Sequence, residues 1–85
     1  MDAKFRPNGE KLTHGFTLYL QSGGTIYVPM RTDSDLTAVM VATDEIWRYQ
    51  TRNDFVCGIK VERLTGRTEA GYLTFETIYE RGRTN

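Results

Sequence analysis

Eighty-five residues make one small domain, and 11 Lys+Arg balance 11 Asp+Glu. A chain this short holds a single core, and one cysteine and one histidine, Cys57 and His14, exclude a disulfide and a four-ligand zinc site. With 39% apolar and 26% charged residues the composition is that of a folded chain, and no apolar run approaches the roughly 18 residues that span a bilayer.

The first fourteen residues are expected to be partly irregular. Pro7-Asn8-Gly9 is a turn signal, with a short strand expected over residues 11–13. The start of the chain lacks the apolar stretch of a signal peptide, and a lone thiol suits a reducing compartment, so the cytoplasm is the expected location.

A hairpin follows. Phe16, Leu18 and Leu20 alternate with Thr17, Tyr19 and Gln21; after Ser22-Gly23-Gly24, Ile26, Val28 and Met30 alternate with Tyr27, Pro29 and Arg31. Period two predicts two half-buried strands. A three-residue Ser22-Gly23-Gly24 loop pairs Leu20 with Ile26, Leu18 with Val28 and Phe16 with Met30, which keeps one dry face. It also sets Tyr19 opposite Tyr27 on the outer face. Pro29 cannot donate to a ladder, so the second strand is expected at an edge.

Residues 32–50 read as a helix, capped by Thr32 or Asp33, with Asp33 and Asp35 at the positive end of its dipole. Leu36, Val39, Met40, Thr43, Ile46, Trp47 and Gln50 follow the spacing of one face, expected to turn inward, with Thr37, Asp44, Glu45 and Arg48 opposite. A competing strand over residues 37–43 is weaker, because the pattern runs on for about four turns. Whether Trp47 is core or surface stays open.

Phe55, Cys57, Ile59 and Val61 predict a third strand facing inward, with Cys57 as a small buried apolar group and Val56 outward. A turn is expected within residues 64–71, and a fourth strand over residues 72–80. Its faces are Leu73, Phe75, Thr77 and Tyr79 against Tyr72, Thr74, Glu76, Ile78 and Glu80. Residues 81–85 form a polar, frayed tail. The order ββ–α–ββ predicts a single α+β two-layer domain, an antiparallel sheet of four or five strands with one helix on one face.

Catalytic signals are sparse. His14 reads as an ordinary surface or turn histidine, and no local signature supports a Cys57–His14 pair. Asp33-Ser34-Asp35 is explained by helix capping, and Asp44 and Glu45 by pairing with Arg48 on a solvated face. Metalloprotease, P-loop, dinucleotide and EF-hand spacings are missing. The expectation is a protein without enzyme activity, cofactor or metal.

Two binding surfaces remain. The sheet face away from the helix is expected to present Tyr19, Tyr27 and Tyr72, with Arg31 nearby; tyrosine and arginine favour protein contacts. Arginine outnumbers lysine eight to three in this chain. The alternative is a stacking platform for single-stranded nucleic acid or a nucleotide, built from Trp47, Arg48, Tyr49 and Arg52. Zero net charge argues against duplex nucleic acid. A third possibility is a small anionic ligand held in a groove between subunits.

In general profile the chain resembles the small accessory proteins of phages and mobile elements, including inhibitors of host defence. That resemblance is one of type and carries no residue-level motif. The expected function is a protein-binding module that acts by surface occupation, as a homodimer with a further protein partner and no membrane association.

Overall fold

The computed structural model describes residues 12–50 and 54–82. The strand expected over residues 11–13, residues 51–53 including Arg52, and the end of the expected tail lie wholly or partly outside these. The elements run β1 (His14–Leu20), β2 (Thr25–Met30), α1 (Asp35–Tyr49), β3 (Val56–Arg67) and β4 (Leu73–Arg81). The strands form one antiparallel sheet in the order β2-β1-β3-β4. The helix packs on one face, against β1 and β3. This is the expected α+β architecture, and Pro29 does lie in an edge strand.

The hairpin keeps its dry face in a different register. Its loop is again three residues, but they are Gln21-Ser22-Gly23, closed where the Leu20 N–H donates to the Gly24 carbonyl at 2.9 Å. Gly23 takes a positive φ of 105°, which a side chain would resist. Asp54 anchors the loop, accepting from the Ser22 backbone N–H and from its hydroxyl. Leu18 therefore pairs with Ile26, Phe16 with Val28 and His14 with Met30, two residues away from the expected partners. A two-residue shift preserves the faces. It places Tyr19 opposite Thr25 and Tyr27 opposite Thr17, and it draws His14 into the ladder. His14 is thus a buried strand residue, only 4% exposed, and not the surface or turn histidine the sequence suggests.

Bulges correct the faces of the other two strands. Tyr19 pairs with Gly58 and Leu20 with Val56, so Cys57 is the extra residue of a bulge. The parity flips there: Val56 packs against the core and Cys57 is exposed, the reverse of the expected assignment. In β4 the register slips between Tyr79 and Thr77, and Ile78 joins Tyr79 against the core instead of facing outward. The turn falls later than expected. β3 runs through Gly66 to Arg67, and Thr68 closes the turn with Gly71 and Tyr72.

The core is Phe16, Leu18, Met30, Ile59 and Val61 from the sheet, with Ala38 and Ala42 from the helix. The helix caps on Ser34, whose hydroxyl accepts the Thr37 N–H at 3.2 Å, and not on Thr32 or Asp33. It is also turned from the expected orientation. Ala38 and Ala42 face the sheet, with Val39, Ile46 and Tyr49 beside them. Leu36 and Met40, expected inside, are exposed, and so is Trp47, whose side the sequence leaves open. Two causes act together. The bulk of the core comes from the sheet, so the helix meets Phe16 and Leu18 with its smallest residues. Asp35, in the first turn, is held by His14 and Arg63 of the sheet, which fixes the rotation.

Candidate functional site

Three surfaces collect chemistry, and each follows from an element just described. The first is the polar clamp at the N-terminus of α1. His14 Nε2 lies 2.8 Å from Asp35 Oδ1, and Arg63 donates to the other carboxylate oxygen. The second arm of the Arg63 guanidinium reaches Glu76 on β4. On the far side of the imidazole, Nδ1 lies 2.8 Å from the Thr13 hydroxyl and 3.1 Å from that of Thr32. Thr13 Oγ1 also accepts the Thr32 backbone N–H at 2.8 Å. Both ring nitrogens are committed and the ring is buried, so the arrangement ties α1 to β1, β3 and β4.

The clamp sets its own electrostatics. The hydrogen bond from His14, and then the Arg63 charge, hold the Asp35 carboxyl below the ordinary carboxylate value, against the opposing effect of desolvation. Glu76 and Asp35 hold the Arg63 guanidinium protonated more firmly than usual. Cys57 has no part here, because it sits at the opposite end of β1 from His14. Among the described residues no three His, Cys, Asp or Glu side chains are gathered as a metal site.

The second surface is the sheet face away from the helix. Tyr27 lies across Gly15 on the neighbouring strand, where a Cβ would overlap the end of its ring. Gly15 is the position that lets the aromatic lie down on the sheet. Burial, and then the Glu62 carboxylate, push the Tyr27 hydroxyl above its ordinary pKa. Tyr19 is half-buried towards the hairpin loop. Tyr72 is 73% exposed, in the β3–β4 turn at the other end of the sheet, and Arg31 is exposed just after β2. Tyr19 and Tyr27 share a face; Tyr72 stands in a turn at the end opposite Tyr19.

The third surface is the outer side of α1. Leu36 is 69%, Met40 59% and Trp47 75% exposed, with Val41 more than a third exposed. Leu36, Met40, Thr43 and Trp47 are spaced four, three and four residues apart, so they form one stripe along the helix. Thr37, Asp44 and Arg48 border it, and Arg48 pairs with Glu45 at 2.9 Å while its side chain stays 71% exposed. Of the nucleic-acid set, Trp47 and Arg48 are exposed at adjacent positions and Tyr49 packs against the core. The helical spacing groups every residue of the stripe, but it suggests the inward side for Leu36 and Met40 and leaves Trp47 open. The available signal was Ala38 and Ala42, two small residues on a single narrow face that suits close helix–sheet approach.

Comparison with family models, with curated proteins and with solved structures gave no match. No helix among the described residues is long and apolar enough to cross a membrane.

Proposed function

We propose that this protein is a non-enzymatic protein-binding module that acts by occupying a partner's surface, in the manner of an accessory or inhibitor protein. The observation that carries the reading is the stripe of Leu36, Met40 and Trp47, three large apolar side chains left in solvent on one helix. Contiguous exposed apolar surface of this kind marks interaction sites, and tryptophan is the residue type most enriched at their energetic centres. The His14 clamp supports it indirectly: it holds the helix in the rotation that turns the stripe outward.

The test is affinity capture from the native host with three full-length baits: the wild type, Leu36→Ser/Trp47→Ser, and Tyr19→Ala/Tyr27→Ala. The proposal expects discrete protein partners that are lost with the helix variant and kept with the sheet variant. Partners unchanged by the helix variant overturn it, and so does recovery of nucleic acid in place of protein.

A second reading, binding of single-stranded nucleic acid or a nucleotide, draws on Trp47 and Arg48 standing exposed side by side. Quenching of Trp47, the only tryptophan, on addition of oligonucleotides at low salt would favour that reading.

A further inference from the structure

Building on the reading of the stripe as a contact surface, we propose that its occupant is a second copy of this chain, docked as an antiparallel helix pair about a two-fold axis beside Met40 and Thr43.

The spacing of the stripe is that of a coiled-coil seam, in which alternating intervals of four and three residues keep one line of side chains facing a partner helix. Four such positions, Leu36, Met40, Thr43 and Trp47, fall within the 15 residues of α1. An antiparallel copy sets Leu36 against Trp47 and Met40 against Thr43, so each layer joins a longer side chain to a shorter one. Because the same patch serves both copies, the contact closes as a dimer and leaves no stripe uncovered.

Charge favours the antiparallel orientation. The N-terminal end of α1 carries Asp33, exposed just before the helix, and its last turn carries Arg48; Asp35 is committed to His14 and Arg63. In the antiparallel pair each Arg48 lies beside the acidic end of the other helix, and the helix dipoles oppose. A parallel pair would set Asp44 near Asp44, Arg48 near Arg48 and the dipoles in line. A formal net charge of zero means that two copies approach without long-range repulsion.

The area sets the strength. Trp47 alone offers on the order of 150 Å² per copy. The stripe lies along a helix only about 22 Å long, so the contact falls at the small end of specific interfaces, near or below roughly 1,200 Å² in total. Such a dimer dissociates on dilution.

The experiment is a dilution series of the full chain, followed by sedimentation and by Trp47 emission. A two-chain mass is expected at high concentration, with emission shifting towards shorter wavelength over the same concentration range. Met40→Glu should raise the dissociation constant by roughly tenfold or more by placing carboxylates in the apolar seam. Circular dichroism should show the variant folded, since Met40 faces solvent in the single chain. For orientation, Leu36→Cys and Trp47→Cys chains, both also carrying Cys57→Ser, are oxidised separately and mixed. Cross-links should form between the two chains and not between identical ones.

Four outcomes overturn the proposal. They are a single-chain mass at every concentration, a dimer that Met40→Glu leaves intact, a dimer whose Trp47 still emits as an exposed indole, and cross-links between two Leu36→Cys chains. The first of these, alongside capture of a different protein that depends on the stripe, removes the dimer and leaves the contact surface standing. Loss of both removes the two together.

Discussion

The two faces of α1 are built from opposite materials. The centre of the inward face is Ala38 and Ala42, flanked by Val39, Ile46 and Tyr49, with the charged Asp35 at its head; the outward face carries Leu36, Met40 and Trp47. Volume and charge together set the rotation. Phe16 and Leu18, both fully buried, already fill the space under the middle of the helix, and interiors packed at crystal-like density leave no room there for side chains larger than Ala38 and Ala42. Asp35 reaches both His14 and Arg63 only in this rotation. A helix with its largest apolar residues in water has either a partner for them or a cost to carry.

The largest effect should come from removing what the alanines rest on. Phe16→Ala should cost about 3–5 kcal/mol, because the small residues of α1 cannot collapse into the space. Urea unfolding measures it; a loss near 1 kcal/mol would show the helix settling onto the sheet and the inward face loosely packed. Next comes the converse. Ala42→Leu should cost about 1–3 kcal/mol by overpacking the same contact. A neutral or stabilising result would mean that the helix–sheet spacing is not set by alanine.

These effects bear on what could be read from the sequence. Element types and order were legible, because period-two and helical spacing are local properties of the chain. The faces were legible only where the strand was regular. Cys57 and Ile78 were misplaced because a bulge inserts one residue and reverses every side beyond it; Gly58, next to Cys57, is a local sign of the first bulge, and no such residue adjoins Ile78. His14 was misplaced because the hairpin loop closes one residue early. That depends on Asp54, more than thirty residues away, holding Ser22. The helix rotation was hidden for the same kind of reason. It rests on the pairing of Asp35 with His14 and Arg63, a contact between three elements.

That pairing gives the third prediction, in its dependence on pH. The folded Asp35 carboxyl titrates below its ordinary value of 3.8. Its contribution is therefore fully present above the unfolded value, and it is lost as pH falls through that value towards the folded one. Stability measured by urea unfolding should decline on acidification below about pH 5. Asp35→Asn should lower stability near neutrality and flatten this part of the profile. A variant with the wild-type acid slope would show that the clamp does not hold the helix in register with the sheet.

The smallest effect is also the sharpest test of the comparison. Met40→Ser removes apolar surface from the outward face only, so in the single chain it should change stability by no more than about 0.5 kcal/mol. At concentrations where two chains associate, the wild type gains stability by mass action, because the folded chain binds a copy and the unfolded chain does not. Its melting temperature should rise with protein concentration, and that of Met40→Ser should not. If both melting temperatures stay flat and equal, the outward face is surface without an occupant of its own kind. If Met40→Ser is instead strongly destabilising at high dilution, Met40 packs within its own chain, and the division of α1 into a seated face and an offered face is wrong.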